Sequence, residues 1–211
     1  LTFNMILQTE NLTIVRNQQA VISDLNFTLN YAEKVVLQGE IGSGKSSFLL
    51  ALLGFVPLAS GSLYWFGQKC EKEADFVPIR GHQVGICFQN AEDQLFGPSV
   101  LEDVAFGCLN QGKSEQEAFD IALMQLEKLG ITHLKDRPVN LLSGGEKNFT
   151  ALAGVLAMQP QVLLLDEPTN GLDAKNKAKL TALLKDLPQP MIIATHDLAF
   201  SENLADRIVR F

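Results

Sequence analysis

Cysteine is scarce in these 211 residues: Cys70, Cys87 and Cys108 are odd in number and show no C-x-x-C spacing. That excludes a disulfide framework and reads as reduced, mostly buried thiols of a cytosolic protein. His82, His133 and His196 are equally sparse and lack metal-ligand spacing, which argues against a structural metal. No apolar run approaches the roughly 20 residues needed to cross a bilayer, and nothing at the start reads as a signal peptide. Leu1 is not an initiator residue, so Met5 is a candidate internal start. Excess positive charge is also missing. Lys and Arg total 17 against 24 Asp and Glu, and the net charge of −7 argues against a nucleic-acid binder, which normally carries a basic face. There are no repeats, low-complexity tracts or long linkers.

What is present centres on Gly39-Glu40-Ile41-Gly42-Ser43-Gly44-Lys45-Ser46-Ser47. The apolar run Val35-Val36-Leu37 leads in and Phe48 to Leu53 leads out, so the pattern G-x-x-x-x-G-K-S lies between a strand and a helix. Glycines let such a loop wrap tightly and turn its N–H groups inward, and the helix start adds partial positive charge. Gly39, Glu40, Gly42, Ser43, Gly44, Lys45, Ser46 and Ser47 are therefore candidates for holding a nucleotide. Lys45 would reach the β- and γ-phosphates, and the Ser46 hydroxyl would bind the Mg²⁺ that bridges them.

Along the chain, residues 6–29 read as short strands (Leu12 to Val15, Leu25 to Leu29) around a polar turn at residues 16–19, an antiparallel layer. Ser62 to Phe66 is a further strand, residues 68–82 a loop or short helix, and Val84 to Phe88 a buried strand. From Gln89 to about Leu142 the period is helical, with helices over 100–108 and 114–129. Strand and helix then alternate: helix 144–158, strand 162–165, helix 174–186, strand 191–194, helix 198–205. The expected fold is α/β: a P-loop NTPase core with a mostly parallel sheet, an N-terminal antiparallel β layer and an inserted α-helical subdomain. Residues 1–88 and 143–211 form the core in this reading, and about 89–142 the insertion.

Two further stretches carry chemistry. Val162-Leu163-Leu164-Leu165 ends in Asp166-Glu167, delivering two carboxylates to the carboxyl edge of a sheet, where ligands bind in such folds. Asp166 suits the outer shell of Mg²⁺, and Glu167 a general base or water-positioning group. Ser143-Gly144-Gly145-Glu146 opens a helix with a capping box. The box does not account for the glycines, each costing about 1 kcal/mol against alanine in a helix. A phosphate approaching the bare backbone would account for them. Since one phosphate loop already exists at Lys45, the second anion site points to the nucleotide of another subunit.

These stretches, with Gln89, Gly171-Leu172-Asp173 and Thr195-His196-Asp197, stand in the order of the ATP-binding cassette ATPases, which nearly the whole chain resembles. The resemblance implies ATP and Mg²⁺ as cofactors. It implies that Gln89 senses Mg²⁺ and couples to a membrane partner, and that Ser143, Gly144 and Gly145 contact ATP in trans. By the same likeness Asp173 lies between the two active sites of a dimer, and His196 contacts the γ-phosphate. Where the family places an aromatic ring on adenine, this chain has Arg16 beside Val15; a guanidinium plane also stacks on a base. Ala205 to Phe211 ends where relatives continue into further strands, implying a minimal ATPase.

The segment Gln89 to Gly107 narrows the likeness to the cobalt, nickel and vitamin uptake ATPases of the energy-coupling factor class. That likeness implies a second ATPase subunit, identical or not, and a transmembrane coupling protein at the cytoplasmic face of the membrane, with nickel or cobalt as the first choice of solute. Leu95 and Phe96, on a turn halted by Gly97-Pro98 and rimmed by Glu92, Asp93 and Glu102, are either packing or the docking surface for that partner. Two rivals stand beside this reading. A soluble ATPase acting on DNA or ribosomes would need a long coiled coil or two cassettes in one chain, and neither is present. A non-hydrolysing partner subunit disagrees with the intact Glu167 and His196.

Overall fold

Apolar alternation in the first thirty residues produces two long strands rather than several short ones. In the computed structural model, which describes residues 5–211, β1 (Met5–Arg16) and β2 (Gln19–Asn30) pair antiparallel. Residues 1–4, including Leu1, lie outside the described residues. The hairpin turns at Asn17 and Gln18, both at positive φ, the geometry that matches strand twist in a two-residue turn. Register shifts between Thr9 and Leu12, and again around Ile14, interrupt the pairing, with Asn11 and Asp24 also at positive φ. Each bulge changes which alternate residues face inward, so the period of two breaks while the strand continues.

Then come β3 (Lys34–Gln38), α1 (Lys45–Leu52), β4 (Ser60–Trp65) and β5 (Gln68–Lys69). The polar stretch that follows takes the short-helix form of the two expected, α2 (Glu73–Pro78) running into a π-helical turn, Ile79–Gln83. After β6 (Val84–Cys87) the helices α3 (Val100–Asn110) and α4 (Glu115–Lys128) precede α5 (Gly144–Ala157). Finally β7 (Val162–Asp166), α6 (Ala174–Asp186), β8 (Met191–Thr195), α7 (Leu198–Leu204) and β9 (Arg207–Arg210) complete the chain.

The strands form two sheets. One is antiparallel in the order β2-β1-β4-β5, the other parallel throughout in the order β6-β7-β8-β3-β9. Alternate residues of the parallel strands enter two cores. Leu37, Leu164 and Ile192 pack with α1 and the antiparallel layer, and Val36, Leu163 and Ile193 pack with helices α3 to α7. Both faces of the sheet are thereby covered, as the continuous apolar runs require.

Strand β9 goes beyond the expected pattern. Its Arg207-Ile208-Val209-Arg210 carries a cation at each end, and Ile208 is 39% exposed, so it lacks the run of a buried strand. Tertiary contacts hold it instead: Arg207 Nε lies 2.7 Å from Glu33 Oε1, with its guanidinium 5.4 Å from the Phe27 ring centre. Because the parallel strands run the same way, the ends of β3, β6, β7 and β8 meet along one edge. The pairs Gln38–Thr195, Asp166–Ala194 and Cys87–Leu165 set that alignment.

Candidate functional site: a phosphate-loop cleft at the sheet edge

Three glycines shape the loop after β3. Gly44 caps α1 at φ 96°, and a Cβ there would lie 3.0 Å from the Val21 carbonyl oxygen. Gly42 is also left-handed, at φ 87°. A side chain on Gly39 would meet the Phe211 carbonyl oxygen at 2.7 Å, where the chain after β9 bonds back to Gln38. No side chain caps α1, so its first N–H groups are left to the loop and to a ligand. Lys45, only 5% exposed, folds its ammonium under the loop and donates to Gly39 O at 2.7 Å, Glu40 O at 2.8 Å and Ser43 Oγ at 3.2 Å.

At the next residue, Ser46 Oγ donates to Asp166 Oδ1 at 3.0 Å. Burial pushes the Asp166 carboxyl above its ordinary value, with the Ser46 bond and Lys45 opposing and Glu167 adding to it. That penalty falls on the charged form. A hard cation at these oxygens would relieve it, so the donor set fits Mg²⁺.

Glu167 leaves β7 at φ 47°, a left-handed conformation that costs a non-glycine residue about 1 kcal/mol or more. Its backbone N–H donates to Ala194 O at 2.8 Å, and its buried side chain reaches the end of β8. There Oε2 receives His196 Nδ1 at 2.9 Å, Thr195 Oγ1 at 3.2 Å and the His196 backbone N–H at 3.4 Å. The His196 side chain is 53% exposed and faces the opening.

A cleft of about 380 Å³ brings these groups together. It is lined by Arg16, Gly42, Gly44, Lys45, Ser46, Ser47, Gln89, Glu167 and His196, all predicted, and by Val21, Ile41 and Asn170, which were not. A smaller void of about 30 Å³, room for a water, joins Gln89 to Asp166 and Glu167. Asn170 follows Glu167 in a tight turn, its N–H bonded to the Glu167 carbonyl; the polar run after Pro168 was its only signal. Thr195 was visible only as the neighbour of His196.

The other predicted residues lie elsewhere. Ser143 caps α5, its hydroxyl accepting from Glu146 N at 3.4 Å while its own N–H donates to Glu146 Oε2 at 2.7 Å. Glu146 also meets Arg137 Nη1 at 3.0 Å, so its carboxylate is engaged within the chain. Gly144 is exposed, and a Cβ added to it would have nothing within 4 Å, whereas one on Gly145 would approach Leu172 at 3.3 Å. Asp173 caps α6 by accepting from Asn176 N at 2.7 Å. None of Ser143, Gly144, Gly145, Glu146 and Asp173 lines the cleft.

Residues 22–170 match the ABC transporter family. The chain belongs to that family. An uncharacterized ABC transporter ATP-binding protein of Haemophilus influenzae is 61% identical over 206 residues, covering 98% of this chain and 94% of that protein. The energy-coupling factor transporter ATP-binding protein EcfA of Methanosphaera stadtmanae is 40% identical over 207 residues, 96% of this chain and 74% of its own. Among solved structures, CbiO1 of Clostridium perfringens, part of the ABC transporter complex CbiONQ, superposes with a TM-score of 0.88 at 33% identity. That match covers 98% of this chain and 84% of CbiO1. The protein is an ABC ATPase that binds and hydrolyses ATP, similar to the energy-coupling factor and cobalt branch. Among the described residues, no helix is long and apolar enough to cross a membrane.

This ABC ATPase also carries a groove of about 400 Å³ where α3 and α5 meet the π-helical turn, lined in part by Arg80, His82, Leu95, Phe96, Phe106 and Met158. Phe96 is 64% exposed and stands edge-on to Phe106, ring centres 4.6 Å apart. Asp103 fixes the turn: its Oδ1 accepts from Phe96 N at 2.8 Å and Gly97 N at 2.6 Å. The expected rim of Glu92, Asp93 and Glu102 is corrected. Glu92 pairs with Lys147, Glu102 accepts from the Ser99 hydroxyl at 2.6 Å, and the groove itself carries Arg80 and His82 beside Asp103. Linear sequence placed those carboxylates near the turn, but the salt bridge and the start of α3 turn Glu92 and Glu102 to other partners, and Asp93 does not line the groove.

Proposed function

We propose that this ABC ATPase powers a membrane importer of the energy-coupling factor, cobalt or nickel type, from the cytoplasmic face and as a head-to-tail pair with a second ATPase subunit. The observation that carries the pairing is the separation of the two glycine-rich helix starts. The cleft at Lys45 is assembled from this chain alone, while Ser143 and Gly144 are exposed and outside it. An exposed helix start with a bare backbone is a place for a phosphate, and the phosphate available is a partner's ATP. The inserted helical region, about residues 89–142, then carries that helix start toward the partner.

Within one cleft, Lys45 and the loop N–H groups hold the β- and γ-phosphates, and Arg16 lies where the base would stack. Ser46, Asp166 and Gln89 would hold Mg²⁺, which neutralises phosphate charge when bound. Glu167 places the attacking water and His196 contacts the γ-phosphate. Ser143, Gly144 and Gly145 face the other nucleotide, with Glu146 capping their helix and Asp173 between the sites.

Coupling to a transmembrane protein runs through the Gln89–Gly107 segment. An exposed aromatic ring, Phe96, held on a pinned turn against Phe106 of α3 and beside a groove supports a docked helix. The test is co-purification from detergent of the ATPase with the membrane protein it drives. The double change Leu95→Ala with Phe96→Ala should lower recovery by about tenfold, or about 1.4 kcal/mol, with ATP binding intact. Equal recovery from a folded variant removes this surface from the coupling.

A further inference from the structure

Three donors converge on one oxygen of Glu167, and they are not equivalent. His196 is half-exposed, and in the function proposed above its ring is also needed at the γ-phosphate. Its backbone N–H is the longest contact, at 3.4 Å. Thr195 is fully buried at the last position of β8, and its β-branched side chain leaves χ1 little freedom.

We propose that Thr195 is a positioning residue for ATP hydrolysis, its hydroxyl holding the Glu167 carboxylate in the orientation from which it places water. The direction of the hydrogen bonds carries this. A hydroxyl has one proton to give, and Thr195 Oγ1 already accepts from the Asp197 N–H at 3.1 Å. Its proton is therefore directed at the acceptor-only carboxylate, 3.2 Å away. Asp197 is itself immobilised: Oδ1 accepts from Phe200 N at 3.1 Å as the cap of α7, and Oδ2 meets Lys177 Nζ of α6 at 2.7 Å. The Glu167 backbone, strained at φ 47° and bonded to Ala194, is anchored to the same strand end. Carboxylate and donor thus share one rigid mount. A Thr hydroxyl bonding two residues on is a common turn, which alone would require nothing of Glu167; the contact to Oε2 is the addition.

The inference rests on Glu167 being the water-placing group, and the experiment separates the two. Phosphate release and ATP affinity are measured on the full chain for wild type, Thr195→Val, Thr195→Ser and Glu167→Gln. Valine keeps the shape and removes the hydroxyl. The expected result is kcat down by about tenfold with KM and ATP affinity within about twofold, since misplaced groups cost turnover at this scale. Serine, which restores the hydroxyl, should return kcat to within about twofold of wild type. Wild-type kcat in Thr195→Val beside an inactive Glu167→Gln overturns the role of Thr195 alone. Full turnover in Glu167→Gln overturns the role of Glu167 and the inference with it. A loss in Thr195→Val that serine does not restore, or one that tracks a lowered melting temperature and weakened ATP affinity, marks a packing role and also overturns the proposal. Should valine prevent folding, Thr195→Ala is compared with serine by the same criteria.

Discussion

Helices α1 and α5 both begin at glycine-rich turns, but their glycines answer to different demands. At α1, Gly44 is left-handed and a Cβ would press on the Val21 carbonyl, while a Cβ on Gly39 would strike Phe211. The chain's own backbone forbids side chains there. At α5, Gly144 has open space: no atom lies within 4 Å of where its Cβ would be, and the cap is already supplied by Ser143 and Glu146. Among the described residues, no packing contact requires that glycine. The difference teaches that the glycines of the phosphate loop are required by packing inside the fold, whereas Gly144 at the second helix start is not crowded by any packing contact, which is what the proposed approach of a partner's phosphate would use.

The strongest test of the completed half is Glu167→Gln. Phosphate release should fall by about 10²-fold or more, with ATP affinity retained, and the variant should accumulate as an ATP-bound dimer on gel filtration. Turnover at the wild-type level would break the assignment of this half as catalytic.

The open half is tested by Gly144→Asp, where stability and activity should separate. A carboxylate in the first turn of a helix is favourable by about 0.3–1 kcal/mol, so the melting temperature should hold or rise. A negative charge facing a partner's phosphate should cut turnover by about 10²-fold, the scale of losing a positioned anion donor. Unchanged turnover in a folded Gly144→Asp would mean that α5 meets no nucleotide.

Glu146→Ala sharpens the same contrast at lower energy. Removing half of the capping box should cost about 1 kcal/mol in denaturant unfolding. Nucleotide affinity of the isolated chain should not change, because Glu146 does not line the cleft. Weakened affinity would show that the two halves communicate within one chain.

The smallest effect is expected at Lys177. Its ammonium beside Asp197 holds that carboxyl below its ordinary value, against the opposing push of burial. A carboxyl lowered by folding stabilises fully above its unfolded pKa of about 3.9 and loses that contribution as pH falls through the lower folded value. Lys177→Gln should therefore cost about 0.2–1 kcal/mol at neutral pH and less in high salt, the range of part-exposed pairs. As pH falls below about 3.9 and through the lower folded value, the variant and wild type should converge in thermal unfolding; a constant gap would assign the loss to packing.

Much of the site was legible because its residues sit next to strong local signals. Lys45 and Ser46 follow a glycine pattern, and Asp166 and Glu167 end an apolar run, so position along the chain sufficed. Asn170 and Thr195 were missed as site residues because a polar residue in a turn and a threonine at a strand end look ordinary. Their importance comes from carboxylates and strands far away in the chain. Arg207 and Phe211 were missed for the same reason, β9 being held by Glu33, Gln38 and Phe48 rather than by its own pattern.

The sequence by itself determined the alternating strands and helices, the phosphate loop, the two carboxylates that end β7 and the capped helix start. These depend on periods of two and 3.6 and on residue chemistry within a few positions. Only the tertiary structure decided that β3, β6, β7 and β8 end along one edge, bringing Lys45, Gln89, Glu167 and His196 around one cleft. It alone turned Glu92 toward Lys147 and away from the groove, and left Ser143 and Gly144 outside the cleft. Strand order and side-chain partners are set by packing between distant segments, and that is not written in any local spacing.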